Sequence, residues 1–291
     1  MDIDKQKLIK IAGIVLIVVL VLVGGLLFLM QQYGVTSIAA LQARNSLNKG
    51  VGAFSAGDFV RAGDYFEAAA DLDPELKAAR VYSAYSVMMQ YQPGAEYQEN
   101  IDIANRALDG FKAVLADDPE NSTALQSIAS LYFNMKKMDL AKEWHGKVLE
   151  LEPDRKESHY TIGVISWTQS YEPRLEFRAN VGMKQEDEGP IVLKGRLNRT
   201  QREEYAGLSE EIMPTIDEGL AALEKAIEID PDYDDAMAYV NLLYREKADL
   251  VESQEEHDEL LMQADEWVQT ALDTRKRKAE ESTIETFTTD E

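Results

Sequence analysis

Three histidines, a cluster of aspartates and two basic runs are the residues best suited to chemistry, and their spacing argues against most of it. His145, His159 and His257 lack the one-turn separation and neighbouring acid that a helical metal pair needs. The run D-P-D-Y-D-D, from Asp230 to Asp235, offers oxygen ligands of the kind calcium takes. It lacks the glycine and the distal glutamate of an EF-hand loop, and it falls where one helix ends and another begins. No G-x-S-x-G elbow, P-loop or G-x-G-x-x-G is present, so no catalytic residue, metal site or cofactor is expected. Cysteine is absent, which excludes disulfides and thiol chemistry but fits either redox compartment. The basic run R-K-R-K from Arg275 to Lys278 suits the negative end of a helix dipole.

The elements that would position any site are helices of a recurring kind. From Ser122 to Arg155 the chain reads as two amphipathic helices in 34 residues. With Ser122 as position 1, Leu125, Ile128, Ala129 and Tyr132 fall at positions 4, 7, 8 and 11, and Ala141, Val148 and Pro153 at 20, 27 and 32. Small residues at 8 and 20 let two helix backbones approach. Apolar residues elsewhere fill the contact to the next unit, and proline at 32 stops the second helix. The code recurs in units ending at Pro74 (Gly50, Ala62, Phe66, Ala69), Pro119 (Ala84, Ala107, Phe111, Val114) and Pro231 (Gly163, Gly219, Leu223, Ala226), in each case at positions 8, 20, 24 and 27. A last unit has Asn241 at 8, Tyr244 at 11, and Ala264, Val268 and Ala271 in the 20/24/27 slots. It carries Lys276 in place of the proline.

This pattern resembles the tetratricopeptide repeat (TPR), a helix–turn–helix unit of the same length. The resemblance implies an all-α, TPR-like helical solenoid of about five units over residues 43–279, rather than a generic helical bundle. His145 then falls at repeat position 24 and reads as a packing residue. First-helix positions 2, 5, 9, 12 and 13 line the concave face of this family. Carried over, they give Leu47, Val51 and Phe54, then Val81, Tyr85 and Met88, then Gln126, Ser130, Phe133 and Asn134, then Tyr160, Val164 and Trp167. The aromatic members make a trough suited to an extended or helical peptide. The candidate partner contacts are therefore Phe54, Tyr85, Met88, Phe133, Asn134, Tyr160, Val164 and Trp167. The basic and asparagine clamp with which chaperone-binding members hold a peptide carboxylate is not matched.

Three units depart from the standard length. Insertions are expected near 90–101, 168–200 and 245–256, and the middle one adds about forty residues to a 34-residue plan. It holds Pro173 and a basic run of Lys194, Arg196, Arg199 and Arg202. Loops of this length are functional or disordered, so the insertions read as partner-contacting or capping elements, as longer helices, or as mobile ornament. Residues 280–291 read as a disordered tail.

Ahead of the repeats, Ile11 to Met30 are twenty consecutive uncharged, mostly aliphatic residues. At ~1.5 Å rise each they reach about 30 Å, the hydrocarbon thickness of a bilayer. A cleaved signal has a shorter apolar core and a closer small-x-small site than Ser37-Ile38-Ala39. A single transmembrane anchor is therefore expected at 11–30. Lys5, Lys7 and Lys10 precede it and the next basic residue is Arg44, which places residues 1–10 in the cytoplasm and the repeats outside. In a bacterium that means the inner membrane and the periplasm.

Thirty Lys plus Arg against 53 Asp plus Glu give a net charge of −23. Such a surface repels nucleic acid and anionic lipid headgroups and favours a basic or apolar protein partner. Two functions fit these features: a membrane-anchored scaffold or adaptor holding a protein or peptide in the trough, and a permanent structural subunit of a larger membrane complex.

Overall fold

The computed structural model describes residues 38–184, 187 and 189–289, with side chains to residue 281. The described residues form eleven α-helices and no strand. They divide into two compact units, 38–119 and 120–289. The apolar stretch 11–30 lies outside the described residues. No described helix is long and apolar enough to cross a membrane.

The first unit contains α1 (Ile38–Ser55), α2 (Phe59–Leu72), α3 (Lys77–Met88) and α4 (Gln98–Asp117). They pack as two helix pairs, with α3 also against α2. The repeat code is visible in the contacts. A Cβ built on Gly50 would lie 2.5 Å from the ring of Phe66, and one on Gly110 2.9 Å from Ala84 Cβ. Real side chains cannot approach that closely, so the small residue at position 8 makes room for the second helix. Phe66, Ala62 and Ala69 are buried on one stripe of α2, each large apolar side chain contributing ~1.5–3 kcal/mol. Asp58 caps α2 by accepting a hydrogen bond from the Arg61 amide at 3.1 Å.

The insertion near residue 90 is a turn held by one side chain. Asn100 is fully buried. Its carbonyl accepts from the Gln92 amide, and its amide group donates to the Gln92 and Ala95 carbonyls, all at 2.8 Å. The loop is therefore ordered, with Gly94 supplying the left-handed backbone (φ +82°).

The second unit contains α5 (Ser122–Asn134), α6 (Met138–Leu151), α7 (Lys156–Asn180), α8 (Ile191–Lys194), α9 (Arg199–Ile229), α10 (Asp234–Asp249) and α11 (Gln254–Thr289). Ala129 and Ala141 are fully buried where α5 meets α6. The fourth repeat pairs α7 with α9, and the middle insertion consists partly of extra turns on these two helices. The rest folds as a cap. Met183, Ile191 and Leu197 are buried with Phe177 and Tyr205 in one cluster. A buried charge network fixes it: Arg174 pairs with Glu246 and Asp249, and Arg178 pairs with Asp249 at 3.0 Å. Arg178 also donates to the carbonyls of Lys184 (3.0 Å) and Asp187 (2.6 Å). α9 starts with a capping box of Asn198 and Gln201.

Two expectations are corrected. α11 continues through Thr289, so most of the stretch read as a disordered tail is helical. The R-K-R-K run does not close a helix end. Arg275 and Lys278 reach back to Asp234 at 2.5 and 2.6 Å, and Arg277 pairs with Asp232. Burial disfavours the Asp234 carboxylate, but the hydrogen bonds from Lys278 and Arg275 outweigh it and hold the carboxyl below its usual range. These cations pair with Asp232, Asp234 and Asp235, and Lys156 pairs with Asp230; the described residues contain no group of acids and histidines able to hold a metal ion.

Candidate partner-binding surfaces

Each unit has an aromatic surface, and the two are built differently. In the first, Phe54 near the end of α1 and Tyr85 on α3 come together, with ring centroids 5.8 Å apart, and Phe59 meets Phe54 edge-on at 5.1 Å. These residues sit there because α1 and α3 are the first helices of successive repeats. Residues spaced three and four apart on each helix then share the stripe not covered by the second helix. Phe54 and Tyr85, with Val51, Ser55, Phe66 and Tyr82, line an open cavity of about 270 Å³. Its walls are almost entirely apolar, and no charged side chain lines it. Met88 is half-buried one turn beyond Tyr85.

In the second unit the rings form a continuous ladder. Tyr233 stacks on Tyr160 at 5.0 Å, Tyr160 meets Tyr239 at 5.6 Å, Tyr239 meets Trp167 at 5.6 Å, and Trp167 stacks on Tyr171 at 5.1 Å. Cations close both ends: Lys156 lies over Tyr233 and Arg174 over Tyr171. Tyr160, Val164, Trp167 and Tyr171 follow a spacing of 4, 3 and 4 along α7, which is one helical face. All five rings are half-buried. Burial pushes the Tyr160 hydroxyl up, and the Tyr233 hydroxyl up to about 12, so both stay protonated as donors at neutral pH. The indole nitrogen of Trp167 is buried without a hydrogen-bond partner.

The candidates named from the sequence therefore fall into three groups. Phe54 and Tyr85 share a cavity. Tyr160 and Trp167 share the ladder. Phe133 is half-buried and Asn134 exposed at the end of α5, and neither belongs to the ring contacts of the ladder. Val164 is a correction: it is only 9% exposed and belongs to the core, because position 9 of this longer helix is covered by its neighbours. Tyr171, Tyr233 and Tyr239 were missed. Tyr171 was readable from the spacing of α7. Tyr233 and Tyr239 lie outside the concave positions and carried no local signal. His145 is buried as expected, with Nδ1 3.1 Å from Ser158 Oγ and Nε2 unpartnered. Burial pushes its pKa down to about 4.

Comparison with known proteins places these surfaces on a familiar scaffold. The tetratricopeptide repeat family model matches residues 122–155. No curated protein sequence matches the chain. A crystal structure of MamA aligns with 79% of this chain and 96% of its own, at 17% identity and a TM-score of 0.51. A second MamA crystal structure covers 82% and 94% respectively, at 16% identity and a TM-score of 0.51. The crystal structure of YrrB, described as a TPR protein with an unusual peptide-binding site, aligns with 79% of this chain and 90% of its own, at 17% identity and a TM-score of 0.46. Residues 122–155 are thus a tetratricopeptide repeat, and the chain carries the fold of a tetratricopeptide-repeat protein.

Proposed function

We propose that this protein is a membrane-anchored TPR adaptor that holds a segment of a protein partner against its aromatic surfaces. The observation that carries the reading is the cavity beside Phe54 and Tyr85, an open apolar recess on the face that successive first helices share. Exposed apolar recesses of this kind cost solubility and are retained where something fills them. At about 270 Å³ it lies just below the ~300–1,000 Å³ typical of small-molecule sites. Its size suits one or two apolar side chains of a peptide. The ladder of the second unit is a second, shallower contact whose tyrosine hydroxyls offer hydrogen bonds to a peptide backbone.

The anchor is residues 11–30, with the amino terminus cytoplasmic and the repeats on the far side, as the three preceding lysines suggest. A reporter active only outside the cytoplasm, fused after Glu291, tests the orientation; activity of a cytoplasm-dependent reporter at the same place would reverse it. The adaptor reading is tested with the full chain in mild detergent. An adaptor exchanges its partner with an excess of competing peptide, whereas a permanent subunit stays in a fixed stoichiometric complex.

A further inference from the structure

We propose that the outward face of α1 rests on an anionic lipid bilayer. The inference rests on the reading of residues 11–30 as a membrane span, and it adds a second contact with the same membrane. From Lys5 to Gly57 the sequence contains no Asp or Glu, although the chain as a whole has 53. α1 lies inside this window, and its only charged residues are Arg44 and Lys49, both exposed.

The geometry of the helix completes the case. Ala40, Ala43 and Gly50 are its buried residues, and α2 is the helix it packs against most. On the opposite side Ile38 and Leu41 are 69% and 55% exposed, beside exposed Gln42, Asn45 and Asn48, while the Lys49 ammonium lies over the Tyr65 ring of α2. Exposed aliphatics scattered singly on a surface need no explanation. Here they occupy the first turn of the helix that follows a twenty-residue apolar stretch, and the acids that cover the rest of the protein are missing from the same face. Residues 31–37 span at most ~25 Å when fully extended. That keeps the first turn of α1 close to where the apolar stretch ends. Aliphatic side chains and uncharged amides on one helical face, with two exposed basic residues on the same helix, match the headgroup zone of a bilayer, the basic ones drawn to anionic lipid. Acids in this window would be repelled by such a surface.

The absence of cysteine makes the test direct. Leu41→Cys in the full-length protein takes a single environment-sensitive fluorophore, and Val60→Cys, on exposed surface of α2, gives the reference. Both are reconstituted in phosphatidylcholine vesicles, with and without phosphatidylglycerol, carrying a headgroup-depth lipid quencher. The expected result is several-fold stronger quenching at position 41 than at 60. It should increase with phosphatidylglycerol and fall in an Arg44→Gln, Lys49→Gln background. Equal quenching at both positions, in protein that resists alkaline extraction, overturns the docked face and leaves the span intact. Release of the protein by alkaline extraction overturns the span, and the docked face with it.

Discussion

Gly163 on α7 and Leu223 on α9 meet so closely that a Cβ on the glycine would lie 2.5 Å from Leu223 Cδ2. The same relationship joins Gly50 to Phe66 in the first unit. In both pairs the glycine occupies repeat position 8 and its partner position 24, so one small-to-large contact is repeated at equivalent places in repeats of very different length. Gly219, at position 20, is equally tight, with Ser166 Cβ at 2.5 Å and Leu243 Cδ1 at 2.8 Å. It therefore packs the fourth repeat internally and against the helix that follows.

Overpacking these contacts should destabilise the fold. Gly163→Ala and Ala141→Leu are each expected to cost roughly 1–3 kcal/mol. The helix-propensity gain of about 1 kcal/mol from replacing a mid-helix glycine offsets only part of the clash. Chemical denaturation of the single variants measures this, and unchanged midpoints would argue against the repeat alignment.

His145 makes stability depend on pH. The folded pKa of about 4 lies below the ordinary value of 6.5, so only the unfolded chain takes up a proton between them. The contribution is fully present above about pH 6.5 and is lost as pH falls towards 4, at up to about 1.4 kcal/mol per pH unit. His145→Phe should flatten that slope, since Phe66 and Phe111 already fill position 24 in the first unit. Unfolding curves between pH 4 and 7 provide the comparison.

Asn100 should control the order of the 89–97 connection. Asn100→Ala removes three part-buried hydrogen bonds, to the Gln92 amide and to the Gln92 and Ala95 carbonyls, and should cost about 1–3 kcal/mol. Hydrogen exchange should quicken at the Gln92 amide, while the interior of α4 stays protected. Protection at Gln92 equal to the parent protein would mean that something else holds the turn.

Trp167→Ala should lower the melting temperature as well as weaken any partner contact. The ring is half-buried, packs on the core and bridges Tyr171 and Tyr239. A loss of about 3 kcal/mol, the low end for core aromatic truncation, is expected. A melting temperature equal to the parent's would make the ring a free surface group.

The repeat geometry was readable because it is local. Positions 8, 20, 24 and 27 recur at fixed offsets, and Gly50, Ala129, Ala141 and Gly163 landed at the close contacts expected of them. What was not readable depends on pairs distant in sequence. Arg178 and Asp249 join the insertion to α10 across 71 residues, and no periodicity announces such a pair. Nothing local links the R-K-R-K and D-P-D-Y-D-D runs, yet Arg275 and Lys278 both reach Asp234 across more than forty residues. The site was half legible. Phe54 and Tyr85 share a cavity, but Val164 is core, and Tyr239 joins the ladder from a position that the concave-face pattern omits.

If the recess beside Phe54 and Tyr85 holds a partner, a photo-reactive residue replacing Tyr85 in the full-length protein should capture it in its native membrane. The expected result is a discrete cross-linked product at position 85, lost on Phe54→Ala without a matching fall in the protein's abundance, and none from the same residue at Val60. No product at 85, or one that persists without the Phe54 ring and appears equally from position 60, would contradict it.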